Sequence, residues 1–219
     1  MAKKQKAGRL SIDQMRKLIN KKAGQNVAVD LADESNPTIV KQWIPTGSRW
    51  LDSIICRGKV AGIPVGKVTE IAGLEASGKL DYSFLEKAGC DASKILYVQA
   101  TSVEFVLETM EDLLKSTDSQ MLFIWDSLAL TPAISDIEGD FNPQSSMAVK
   151  ARILAKGMAK LTIPLANSQS TFLVLNQLKS NITRSPSEAL VTPYMTPGGK
   201  AMIYAYSLRI WLTRPKAKA

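Results

Sequence analysis

Gly73-x-x-x-x-Gly78-Lys79 has the spacing of a phosphate-binding loop. Glycines let backbone N–H groups turn toward phosphate oxygens, and the lysine ammonium supplies a point charge for the outer phosphates. Glu75, Ala76 and Ser77 fill the loop, and an apolar run with β-branched residues, Val68, Thr69 and Ile71, leads into it as a strand. The position after the lysine normally holds a Ser or Thr whose hydroxyl ligates Mg²⁺; here it is Leu80, which cannot. A second apolar run, Met121 to Trp125, ends in Asp126-Ser127. A carboxylate at the end of a strand beside a phosphate loop is placed to hold Mg²⁺ through water. A third run, Thr171 to Leu175, ends in Asn176-Gln177, and a long stretch rich in proline and polar residues follows, Lys179 to Pro197. Lys79, Asp126 and Gln177 thus fall at or just beyond the carboxyl ends of expected strands, where open parallel sheets bind ligands. Taken singly, each has a plainer reading: Lys79 as a solvated lysine after a turn, Gln177 as a strand-end amide, Phe84 as a core ring, and the four tryptophans as packing residues.

The elements that must position these residues follow from periodicity. Ser11-Ile-Asp-Gln14 has the form of a capping box, and Ile12, Met15, Leu18 and Ile19 give an apolar stripe on a helix ending at Gly24. A short strand is expected at 27–31, and a short helix within 46–55. After the phosphate loop, a βαβ unit of roughly 30 residues should follow. Residues 80–89 instead offer about two turns of helix, and 94–98 already reads as the next strand. Thr101-x-x-Glu104 is a second capping-box form, before an amphipathic helix bearing Val103, Val106, Leu107, Met110, Leu113 and Leu114. Residues 131–144 read as a polar loop. A helix is expected from 146 to about 161, with Lys150, Arg152, Lys156 and Lys160 toward solvent. Gly198-Gly199 opens a short helix, and 208–212 is the last strand. The expected fold class is α/β: a mostly parallel sheet with helices on both faces and a small N-terminal helix.

Composition narrows the function classes. No run approaches the roughly 18 apolar residues of a membrane span, and the basic N-terminus lacks the apolar segment of a signal peptide. With no histidine and two cysteines far apart in sequence, a zinc site is not expected, and the thiols fit a reducing cytosol. Charge is unevenly placed. Residues 1–22 carry eight Lys/Arg against one acid, 23–149 nine against eighteen, and 150–219 eleven against one. The basic C-terminal third fits a polyanion partner, most often nucleic acid, or an ordinary solvated face.

Together, these motifs resemble the RecA-type recombinase family, including its phage members. The matching pieces are PTGSRWLD, GIPVGKVTEIAGLEASGK, DSLALTP, IEGD, LNQLKSNI and TPGGKAMIYAYSLRIWL, in family order, across roughly residues 40–214. The resemblance implies a RecA-like P-loop NTPase core over residues 37–219 and a basic arm with an oligomerisation helix over 1–36. It also implies ATP and Mg²⁺ as cofactors, a helical filament on single-stranded DNA, homologous strand exchange, and a cytoplasmic location. It assigns Gly73, Glu75, Ala76, Ser77, Gly78 and Lys79 to phosphate, and Asp81 and Phe84 to the adenine. Asp126 and Ser127 fall at the Mg²⁺ end, and Gln177 is the γ-phosphate sensor. Residues 136–144 match the first DNA loop, with Met147 and Arg152 on the helix after it. Lys179, Ser180, Asn181, Ile182 and Arg184 match the second DNA loop, and Gly198 and Gly199 its end.

The departures from the family pattern are equally specific. The helix after the phosphate loop is cut short and the strand after it is missing, and with them the family's Mg²⁺-binding hydroxyl and water-activating Glu. The match resumes at Leu80-Asp81, and the chain stops at Ala219, before the family's last core strands. Two other readings stand beside a recombinase: a non-hydrolysing RecA-like DNA-binding or filament-modulating protein, or another RecA-fold ATPase such as a helicase.

Overall fold

Parallel strands and the helices between them carry most of this chain's buried surface. A computed structural model describes residues 10–24, 26–31, 33, 36, 38–57, 62–74, 82–139, 147–181 and 191–213, with only the backbone of Tyr82, Phe84 and Met147. The chain divides into two compact units, Met1–Ile39 and Val40–Ala219.

In the first unit, α1 (Ile12–Ala23) starts with the expected capping box: Ser11 Oγ accepts from the Gln14 N–H and Gln14 Oε1 from the Ser11 N–H. Gly24, at φ 68°, closes it in the left-handed region that glycine adopts freely. None of its side chains is buried, and Ile12, Met15, Leu18 and Ile19 stay exposed. The strand expected at 27–31 does not form. The Asn20 side chain takes the role of a ladder partner, accepting from Val27 N and Ala28 N and donating to Ala28 O. Arg16 pairs with Asp13 and Asp30.

The second unit begins with an antiparallel pair, β1 (Trp43–Ile44) and β2 (Ile63–Pro64), around α2 (Arg49–Cys56). The main sheet has four strands in the order β4-β5-β3-β8, all parallel: β3 (Val68–Gly73), β4 (Leu122–Trp125), β5 (Thr171–Gln177) and β8 (Leu208–Leu212). Between β3 and β4 lie α3 (Tyr82–Lys87) and α4 (Val103–Ser116), and between β4 and β5 lie α5 (Ile134–Glu138) and α6 (Met147–Asn167). A two-stranded ribbon, β6 (Lys179–Ser180) with β7 (Tyr194–Met195), and α7 (Gly199–Ala205) precede β8.

Period-2 alternation sorts the sheet into two faces. Phe123 and Trp125, Phe172 and Val174, and Val68 share one face by register. There Leu107 and Met110 of α4, Leu154, Met158, Leu161 and Leu165 of α6, and Met202 of α7 close the core. Each such fully buried side chain contributes about 1.5–3 kcal/mol relative to exposure. Gly157 lets α6 meet α4: a Cβ there would lie 2.5 Å from Leu107 Cδ1. The opposite face was expected to carry helices too. Among the described residues it is only partly covered: Leu173 and Leu175 are half-buried, and Leu122 and Ile124 are 50% and 58% exposed. Among the described residues, the first helix after β3 is α3, of six residues.

Four further expectations change. The expected strand at 94–98 is instead the end of a 3₁₀ turn (Ala92–Lys94) and an extended stretch with no strand partner among the described residues, leaving Leu96 and Tyr97 80% and 68% exposed. A strand exists only as part of a ladder, and β4 pairs with β5 alone. The α4 cap is Ser102, which accepts from Phe105 N, not Thr101. That one-residue shift sends the Glu104 carboxylate to Ile134 N, where it caps α5 inside the expected polar loop. Helix α6 continues past Leu161 through Pro164 because Leu165, 1% exposed, extends the same buried stripe.

Candidate functional site

The carboxyl ends of three neighbouring strands meet at one edge of the sheet. Gly73 is the register partner of Gln177, and the Leu178 N–H donates to Gly73 O at 2.8 Å. Beside them Trp125 pairs with Val174, and the Leu128 N–H donates to Leu175 O at 3.1 Å, so Asp126 and Ser127 leave β4 at the same edge. Asp126 is exposed, although partial burial holds its carboxyl above the ordinary aspartate range. Ser127 is buried, and its Oγ has no hydrogen-bond partner among the described residues. The Asp126–Ser127 peptide is cis.

The turn after β4 is pinned from α6. Lys150 Nζ donates to Leu128 O (2.8 Å) and Thr131 O (2.6 Å), while Thr131 Oγ1 accepts from Trp125 Nε1 and donates to Ser127 O. Burial lowers the Lys150 pKa, against the opposing charge of Asp136. The lysine row expected to be solvated is therefore split. Lys150 is half-buried, Lys160 pairs with Glu111 of α4, and Arg152 and Lys156 face water.

The stretch from Lys179 to Pro197 is not simply a loop. Its ends form the β6–β7 ribbon, with Lys179 opposite Met195 and Ser180 opposite Tyr194. Asn181 extends the stem, its N–H to Pro193 O and its Nδ2 to Thr192 O, both at 2.9 Å. Lys179 and Ser180 are exposed on it. Gly198 and Gly199, at φ 118° and 75°, open α7 in close contact with α6, and a Cβ on Gly199 would lie 3.1 Å from that of Ala151. The exposed Arg152, whose Nε donates to Ala148 O, is the next residue on α6. Met147 is the first residue of α6 and Phe84 lies in α3. Glu75, Ala76, Ser77, Gly78, Lys79, Asp81, Ile182 and Arg184 lie outside the described residues, as do 140–144 of the first expected DNA loop.

One group of site residues was not singled out in the sequence. Glu70, wholly buried on β3, accepts from Asn176 Nδ2 (2.9 Å) on β5 and from Arg209 Nε (2.7 Å) on β8. The second arm of Arg209 reaches Thr196 Oγ1 (2.9 Å), and Asn176 Nδ2 also donates to Pro197 O (3.0 Å). The Arg209 guanidinium lies over the Tyr206 and Trp211 rings at 5.6 and 5.0 Å. Burial, then the Glu70 charge, pushes the Tyr206 hydroxyl well above its ordinary range. The sequence signal was an acid inside one apolar strand and an arginine inside another, an arrangement stable only as a pair.

Among the described residues, no group of three metal-binding side chains occurs and no helix is long and apolar enough to cross a membrane. A single carboxylate at the strand edge fits Mg²⁺, which keeps several waters and takes only one or two protein carboxylates.

A family model of the RecA N-terminal domain matches residues 79–218. Protein RecA of Frankia alni is 31% identical over 222 residues, covering 90% of this chain and 61% of that protein. RecA of Corynebacterium efficiens is 31% identical over 230 residues, covering 93% and 57%, and RecA of Nautilia profundicola 30% over 239 residues, covering 97% and 64%. The chain thus spans about three fifths of the length of these relatives. Because 90% of 219 residues is fewer than 222, the Frankia protein has residues inside the matched region with no counterpart here. The family match runs from Lys79 through β8, over well more than half the chain, and takes in β4, β5 and β8 of a parallel sheet with the expected α/β architecture: this chain belongs to the RecA family.

Proposed function

We propose that this chain is a RecA-type recombination protein that binds single-stranded DNA along the β6–β7 ribbon and the N-terminal part of α6. The observation that carries this reading is convergence. Gly73, Asp126 and Gln177 lie at one sheet edge, and the ribbon bearing Lys179 and Ser180 rises directly after Gln177. Lys179, Ser180, Asn181, Ile182, Arg184, Met147, Arg152, Gly198 and Gly199 are the proposed DNA residues. Lys and Arg supply phosphate contacts, and the glycines admit close backbone approach. Glu75 to Lys79 cradle the phosphates of ATP, with Asp81 and Phe84 at the base and Gln177 sensing the outer phosphate. Mg²⁺, held by Asp126 through water, neutralises phosphate charge when bound. Residues 1–36 form an arm whose exposed apolar stripe on α1 docks on another subunit, building a filament in the cytoplasm.

The test is fluorescence anisotropy with a labelled oligonucleotide at two salt concentrations. Binding with little sequence preference that weakens steeply with salt is expected; no binding at low salt overturns the reading. A second reading, a non-hydrolysing DNA-binding member, is favoured by one observation: Leu80 follows the phosphate-loop lysine and α3 is only six residues long.

A further inference from the structure

The ribbon that carries the proposed DNA residues leaves the sheet and returns to it at one narrow place. Asn176 stands just before the outgoing end, and Thr196 and Pro197 stand at the returning end. Both ends are tied to one carboxylate. Asn176 Nδ2 bridges Glu70 Oε1 (2.9 Å) and Pro197 O (3.0 Å), so one amide joins the ribbon's two ends. Asn176 Oδ1 accepts from Gln177 N at 3.0 Å, which fixes the amide's orientation and the backbone of the next residue. Arg209 holds Glu70 Oε2 (2.7 Å) with Nε and Thr196 Oγ1 (2.9 Å) with Nη2. Glu70 and Asn176 are 0% and 1% exposed, and Thr196 8%. Glu70 itself stands three residues before Gly73, on the strand that enters the phosphate loop.

We propose that Glu70, Asn176, Arg209 and Thr196 form a neck clamp that sets the position of the β6–β7 ribbon where it leaves the sheet, making Thr196 and Arg209 positioning residues for polyanion binding by that ribbon; this rests on the DNA-binding reading above. The geometry favours positioning over direct contact. Thr196 is buried, and its hydroxyl accepts from Arg209, so it presents little surface to a phosphate. Arg209 is forked between two partners on different elements through two separate nitrogens of one rigid plane, a geometry that a lysine's single nitrogen does not reproduce. A wholly buried carboxylate paired with a half-buried arginine through directional hydrogen bonds also admits few alternative arrangements, so the ribbon is held in one register and not merely attached. The clamp joins the strand before the phosphate loop to the ribbon, so a shift at either is felt at the other.

Thr196 variants of the full chain test this, because they leave the buried ion pair intact. Thr196→Val keeps the shape and deletes the hydroxyl, and Thr196→Ser keeps the hydroxyl. Oligonucleotide affinity is measured by anisotropy across a salt series, beside thermal melting. Thr196→Val should bind about three- to ten-fold more weakly, within the range of mutations that alter coupling. Its salt slope should match wild type because every phosphate-binding side chain is still present, and Thr196→Ser should restore affinity. Arg209→Lys should behave as Thr196→Val does, and combining the two should weaken binding no further. Wild-type affinity in a folded Thr196→Val protein overturns the clamp. So does equal weakening in Thr196→Ser with a lowered melting point, which marks a structural role only, and so does a flattened slope, which marks direct phosphate binding. Failure of the wild type to bind any oligonucleotide overturns the DNA-binding reading itself and the clamp with it.

Discussion

Glu70 has no exposed surface, yet it sits in a strand whose neighbours on the same face are Val68 and Ala72. A carboxylate in such a place is tolerated only with its charge matched and its oxygens bonded, and Arg209 and Asn176 do both. The Arg209→Met substitution strands that charge. It should destabilise the protein by about 3–5 kcal/mol, a large part of a typical domain's stability. Urea unfolding followed by tryptophan fluorescence measures this. Replacing Glu70 by Met as well should recover much of the loss, since an apolar pair leaves no buried charge behind. Equal stability in Arg209→Met and wild type would mean that Glu70 is protonated or solvated in the folded chain. Lys150 makes a related point at lower stakes. Its ammonium stays partly hydrated while it ties Leu128 O and Thr131 O to α6, which holds the turn leaving Asp126.

At the scale of elements, the β6–β7 ribbon and α1 each carry exposed side chains. On the ribbon the exposed charge among the described residues is Lys179. Lys179→Ala combined with Arg184→Ala should weaken oligonucleotide binding and reduce the salt slope by about 1 for each phosphate no longer neutralised. An unchanged slope would place the phosphates elsewhere. On α1 the uncovered side chains are apolar: Ile12 is 76% and Leu18 58% exposed, on a helix with a well-formed cap at each end. A helix of 12 residues is marginal by itself in water, so the stripe needs a surface to rest on. Deleting residues 1–22 should shift sedimentation toward the monomer, and an unchanged size would mean that the helix serves its own subunit.

At the largest scale, the described residues of the second unit form a parallel sheet closed on one face and partly open on the other. The closed face holds the continuous core of α4, α6 and α7. On the other, β4 is an edge strand bearing exposed Leu122 and Ile124, and Ile95 to Val98 run unpaired. Both are the expected consequence of a βαβ unit with its strand removed, since a parallel sheet is stable when helices cover both faces. The same removal bears on catalysis. A helix end acts on phosphate only near its own terminus, and among the described residues Asp126 is the one acid directly after a strand of the main sheet. ATP hydrolysis should therefore be slow or absent even with DNA present. A phosphate-release assay with saturating ATP, Mg²⁺ and oligonucleotide, beside Lys79→Ala, tests this. Lys79-dependent turnover near roughly 1 s⁻¹ would show that another residue supplies the missing group.

Local pattern determined much of this protein. The apolar runs gave β3, β4, β5 and β8, because a buried parallel strand reads as a continuous hydrophobic segment wherever it pairs. The Ser11 capping box and the stripes of α4 and α6 were equally legible, since caps and 3.6-residue periods are set by residues close in sequence. The motif order identified the family and pointed Lys79, Asp126 and Gln177 to one sheet edge; Asp126 and Gln177 lie there beside Gly73, and Lys79 lies outside the described residues. Tertiary structure decided what depends on partners distant in the chain. Ile95 to Val98 has strand-forming residues but no ladder to join, and 27–31 gives its hydrogen bonds to Asn20. Glu104 caps α5, thirty residues away, because α4 begins one residue later than the sequence pattern indicates. The ribbon within 179–197 and the Glu70–Arg209 pair appear only when β3, β5 and β8 lie side by side. A salt bridge between residues 139 positions apart exists only once strand register sets Glu70 against Arg209.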